Sequence, residues 1–158
     1  MEECTRLEND PRLRDGMPTN TVQRALGLLL SARDEWSAGM LRRIEYVIAA
    51  ATFDDFLDHA AEYHKAGKKI EASVLASAVL EDTVKKIAVK NSVAEKRTLD
   101  PVIDDLAGTG VFTPVKAKRV KAYTGTRNKA LHAEWDAFDI KDVSEMINGV
   151  RELIEEFL

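Results

Sequence analysis

The chain has 158 residues, 45% of them hydrophobic and 32% charged, a size and balance that suit one soluble globular domain with a substantial core. A formal net charge of −4 argues against nucleic-acid binding spread over the whole surface, and the single cysteine, Cys4, excludes an intramolecular disulfide or a cysteine-rich metal site. Val47 to Phe53, about the longest apolar run, falls far short of the ~20 residues that span a bilayer, and Met1-Glu2-Glu3-Cys4 lacks the parts of a signal peptide; no membrane partner and a reducing, cytoplasmic setting are expected.

Only 8 Gly and 4 Pro are present, strand-like alternation is scarce, and Leu, Ala, Glu, Lys and Arg dominate. The expected fold class is therefore all-α. Residues 1–18 are polar, carry Pro11, Gly16 and Pro18, and read as a flexible N-terminal arm. Asn20 with Gln23 resembles a capping box before a helix whose apolar stripe is Val22, Leu26, Leu29 and Leu30. A second helix is expected over about 38–51, burying Leu41, Ile44, Val47, Ile48 and Ala51, unless the two form one bent helix. Thr52 with Asp55 reads as the cap of a third, with Phe53, Phe56, Leu57 and Ala60 inward and Gly67 as its stop.

The segment from Ile70 to about Lys90 is the plainest helix. Val74, Leu80, Val84 and Ile87 line a broad apolar side, widened by Leu75 and Val79, as suits the centre of a bundle. After a polar loop at 91–98, Asp100-Pro101 and then Thr113-Pro114 each open a helix, proline fitting the first turn and the preceding residue capping it. Gly125 is expected to loosen the second of these. Asp139 caps the last helix, with Val143, Ile147, Val150, Ile154 and Phe157 inward. One helical domain over 19–158 follows.

Charge is unevenly spread. From Val111 to Ala133 there are six basic residues (Lys116, Lys118, Arg119, Lys121, Arg127, Lys129) and no acid; from Glu134 to the end there are eight acids against Lys141 and Arg151. Such a split can give an acidic protein a local positive face. In it stands Arg127-Asn128-Lys129-Ala130-Leu131-His132. Asn128 and His132 share a helical face, whereas Arg127 and His132 differ by about 140° around an ideal helix. The two meet if the turn is distorted or, more economically, if two copies pack symmetrically and share one cleft. The residue types suit phosphodiester cleavage: an imidazole takes and gives protons near neutral pH, and a guanidinium holds phosphate oxygens and the charge that grows on them. Asn128 would orient the imidazole or bind a phosphate oxygen. RNA brings its own nucleophile, the 2′-OH, so no metal and no cofactor is required.

This string resembles the signature of the HEPN superfamily, an arginine followed after four to six residues by a histidine, often with a polar residue directly after the arginine. Glu71 to Asp82 is similar to that family's small-residue-rich core helix ending in an acid. The resemblance covers about 60–158 and nothing before about residue 50. It implies an up-and-down bundle of four to five core helices with additional N-terminal helices, commonly a homodimer with Arg and His of both copies at one groove. It further implies a metal-independent ribonuclease of a toxin–antitoxin, phage-defence or RNA-processing system, with RNA as substrate and an antitoxin or other protein as partner, or else an inactive module for dimerisation and protein or nucleotide binding.

The expected catalytic residues are thus Arg127, His132 and Asn128, with Glu81 supporting Arg127 or His132. Lys116, Lys118, Arg119, Lys121 and Lys129 would track the RNA backbone and Tyr123 would stack on a base; a solvated surface explains the basic residues equally well. Ser73, Ser77 and Glu81 form a narrow stripe that reads first as a packing seam. Asp55, His59 and His64 are too few for a metal site. Trp36 and Trp135 read as core or interface anchors. Gly108-Thr109-Gly110 lacks the lysine of a phosphate-cradling loop.

Overall fold

The computed structural model describes residues 19–94 and 96–158, without the side chains of 19–21 and 40–43. The expected arm at 1–18, Cys4, the Asn20 cap and Leu41 lie outside the described residues. The fold is all-α, with no strand among the described residues. Helices α1 (Thr19–Ser37), α2 (Met40–Lys65), α3 (Lys69–Lys90), α4 (Leu99–Gly108), α5 (Pro114–Leu131) and α6 (Ile140–Phe157) follow in order, with a 3-10 turn at Trp135–Ala137 before α6. None of these helices is long and apolar enough to cross a membrane.

Contacts divide the chain into a unit that ends at Ile44 and a second unit, Glu45–Leu158. That boundary falls inside α2 and inside the 19–158 span treated above as one domain. Every described buried side chain belongs to the second unit.

Among the described residues, α1 is the one helix that lies wholly within the first unit. Its apolar stripe, Val22, Leu26, Leu29 and Leu30, is exposed, and so is Trp36, expected as a core or interface anchor. Gly39, with φ +75°, breaks the chain into α2.

Residues 38–51 and 52–65 are not two helices. No Gly or Pro interrupts residues 40–65, and the Thr52 hydroxyl donates to the Ile48 carbonyl at 2.9 Å, four residues back, instead of capping a new start. Among the described side chains of α2, burial begins only at Phe53, Leu57 and Ala60; Ile44, Val47, Ile48 and Phe56, all expected inward, are exposed. Gly67, with φ +72°, ends the helix as expected, and the Lys68 N–H reaches back to the Tyr63 carbonyl at 2.9 Å.

The second unit is organised around α3, which packs on α4, α5 and α6. Leu80, Val84 and Ile87 are fully buried, and so are Ala72, Ser73, Ala76 and Ser77, whose small side chains let neighbouring backbones approach. The Ser73–Ser77 stripe is therefore a packing seam. Val74, expected inward, is exposed, because the helix turns its small-residue side to the core there.

Helix α4 starts earlier than Asp100-Pro101 suggests: Thr98 is the cap residue and Asp100 sits in the first turn. Thr113 caps α5, its hydroxyl accepting from the Lys116 N–H at 3.2 Å. Gly125 does not interrupt that helix. Asp139 and Asp142 make a reciprocal capping box for α6, whose Val143, Ile147, Val150 and Ile154 are buried. The α5–α6 contact needs Gly149, since a Cβ there would lie 2.2 Å from the Tyr123 ring.

Candidate active site

Helix α5 carries Arg127 and Asn128 within its last two turns and stops at Leu131, so His132 is its C-terminal cap residue. The His132 backbone N–H bonds to the Asn128 carbonyl at 3.0 Å, and Ala133 then turns the chain at φ +59°. That left-handed conformation is uncommon for alanine. It directs the chain into the 3-10 turn immediately after the imidazole, which is exposed.

The Arg127 guanidinium is held on two sides. Its Nη2 ion-pairs with Glu81 of α3, and its Nη1 donates to Asn128 Oδ1 at 2.8 Å. The other Glu81 oxygen takes Lys85 Nζ at 2.9 Å. The Glu81 carboxyl sits below its ordinary pKa because Lys85 donates to it; partial burial opposes this, and Arg127 adds a further hydrogen bond and charge. Arg127 Nε is buried without a partner. One edge of the guanidinium is thus fixed, while a fifth of the side chain remains open.

The open part faces a pocket of about 190 Å³. Glu81, Lys85, Thr124, Arg127 and Asn128 form one part of its lining, and Arg97 and Asp100, with the residues between them, form another. His132 is not among its lining residues. Asn128 shares a helical face with His132, but its amide oxygen is committed to Arg127 rather than to the imidazole. Within one chain, then, Arg127, Asn128 and Glu81 come together and His132 stands apart. Arg97 was missed from sequence. It lies in a polar loop 30 positions before Arg127, and only the packing of α3, α4 and α5 makes them neighbours.

The basic run of α5 is free of acid in sequence but not in space. Lys116 ion-pairs with Glu156 of α6 and also lies 4.9 Å from the Phe157 ring centre. Lys121 meets Asp104 of α4 at 2.6 Å. Lys129 donates to the Ala137 carbonyl at 2.8 Å. Lys118, Arg119 and Lys129 are exposed with no ion pair among the described residues, and of these Lys118 and Arg119 make no side-chain hydrogen bond either. Tyr123 is partly buried against α6; burial, then the nearby Glu152 carboxylate, raises its hydroxyl pKa, and the ring is not an open stacking platform.

Other residues singled out above have structural partners. His64 Nε2 lies 3.0 Å from the Ile140 carbonyl, and His59 is 3.8 Å from Glu62. Among the described residues no group of three or more His, Cys, Asp or Glu is placed to hold a metal ion. Trp135 packs edge-on against Phe138 at 6.4 Å.

Fold and site together define an all-α helical bundle with a polar pocket built around one arginine. No family model matches the chain, and no curated protein or solved structure matches it.

Proposed function

We propose that this chain is a metal-independent endoribonuclease of HEPN type that works as a homodimer on RNA. The ribose 2′-oxygen attacks the adjacent phosphorus and forms the new P–O bond. The 5′-oxygen of the next nucleotide leaves with the electrons of the bond that breaks, and a 2′,3′-cyclic phosphate remains. His132 moves the proton: one leaves the 2′-OH and one reaches the departing oxygen. Arg127 binds the phosphate and stabilises the charge that grows on its oxygens. Asn128 fixes the plane of the guanidinium, and Glu81 anchors it from α3. Because His132 lies outside the pocket of its own chain, the proposed dimer sets the His132 of one copy beside the Arg127 of the other.

The observation that carries this reading is the Arg127 guanidinium, held by Glu81 and Asn128 at the edge of an open polar pocket, on the helix that ends in an exposed histidine. The setting proposed for such an activity is a toxin–antitoxin or phage-defence system with a protein partner that restrains it. A second reading, a non-catalytic helical module for dimerisation and protein or nucleotide binding, draws on the same ion pair: Glu81 already neutralises Arg127, as it would in a purely structural contact.

Incubating the purified protein with mixed RNA in EDTA between pH 5 and 9 separates the two. Cleavage that disappears in both Arg127→Ala and His132→Ala, with helical signal intact, supports the nuclease. Intact RNA at every pH supports the module.

A further inference from the structure

We infer that Arg97 is a second phosphate-binding residue of this site, and that the pocket between Arg97 and Arg127 takes one backbone phosphate of single-stranded RNA. The choice of RNA rests on the ribonuclease reading above; the choice of a phosphate and of Arg97 rests on the pocket itself. Its described lining residues include three cations, Lys85, Arg97 and Arg127, and two carboxylates, Glu81 and Asp100. Glu81 is divided between Lys85 and Arg127. Arg97 is exposed and has no ion-pair partner among the described residues, so its whole guanidinium is available to a ligand. Thr98 adds a hydroxyl that no capping bond engages.

Size selects among anions. Sites for free small ligands occupy roughly 300–1,000 Å³, and this pocket has about 190 Å³. It suits one group of a larger ligand whose remainder runs across the surface, as a polynucleotide strand does, rather than a whole free nucleotide. A flexible unpaired strand bends to set a single phosphate between two arginines more readily than a stiff duplex does, which favours single-stranded RNA. The free planar fork of Arg97 also matches the preference of arginine for bidentate phosphate contacts, with Arg127 adding its charge from the other side of the pocket.

The test is binding of a short single-stranded 2′-O-methyl RNA, which lacks the attacking hydroxyl and so cannot be cut, followed by fluorescence anisotropy over a range of salt. Arg97→Ala is expected to weaken binding about tenfold and to reduce the slope of log K against log salt by about 0.7. Arg97→Lys should keep most of the slope because the charge remains. Arg97 is exposed, so thermal melting of both variants should match the unaltered protein. Equal affinity and equal slope for the unaltered protein and Arg97→Ala overturn the proposal, and so does absence of binding by the unaltered protein. Failure of the nuclease reading looks different: Arg97-dependent binding persists while unmodified RNA stays intact.

Discussion

The two ends of the Arg127–His132 segment are held in opposite ways. Arg127 is braced from two helices, with Glu81 and Asn128 fixing its charged fork. His132, five residues on, sits exposed at a helix end where its backbone N–H, rather than its ring, bonds to the Asn128 carbonyl. A braced cation is a prepared binding element, because its geometry costs little to reproduce when a phosphate arrives. A free imidazole is prepared for nothing until a second surface meets it. The comparison teaches that the chemistry proposed here is divided between a finished half and an open half, and that the proposed dimer is what would join them.

The sharpest way to break this contrast is His132→Ala. Cleavage should fall by about 10²–10⁴-fold, while the unfolding free energy shifts by less than about 0.5 kcal/mol, as for other exposed positions. Paired activity and urea-denaturation measurements read both. Arg127→Ala should lose both properties: cleavage about 10²–10³-fold, and stability by about 1 kcal/mol because the Glu81 carboxylate keeps only Lys85 as a partner. Arg127→Lys should not restore cleavage, since an ammonium cannot hold phosphate and carboxylate through one planar fork.

A smaller effect concerns pH. The folded state holds Glu81 below its ordinary carboxylate pKa, so its contribution to stability is present above that ordinary value and is lost as pH falls through the lowered one. The unaltered protein should therefore exceed Glu81→Gln by about 1 kcal/mol at neutral pH, and the gap should close in acid. A gap that widens in acid contradicts the assignment. The smallest change lies just before the braced end, at Gly125. No neighbour lies within 4 Å of where its Cβ would be, so Gly125→Ala should stabilise α5 by about 0.5–1 kcal/mol. If that variant is more stable yet binds RNA poorly, the bare backbone there serves the ligand.

Helical periodicity made the second unit legible. The α6 stripe, the α3 core and the Thr113 and Asp139 caps all lie where local chemistry puts them, because each depends on residues at most a turn or two apart. The same periodicity marks α1 as a helix with the stripe Val22, Leu26, Leu29 and Leu30, which is exposed; a pattern shows which side of a helix is apolar, not what covers it. It also split α2 at Thr52, a residue whose hydroxyl serves a helix interior and a helix start equally well. At the site, the run Arg127 to His132 was readable as a string, and Glu81 was a natural supporting acid for Arg127. Arg97 was not, since nothing local distinguishes one loop arginine from another. Nor was the neutralisation of Lys116 and Lys121, whose partners Glu156 and Asp104 arrive from other helices.

The most direct trial of the account is the chemistry of the RNA ends that the purified protein leaves in EDTA, read by mass spectrometry. Fragments ending in 2′,3′-cyclic phosphate, produced by the unaltered protein and absent with His132→Ala, are the expected result. Intact RNA, or fragments with 3′-hydroxyl and 5′-phosphate ends, contradicts it.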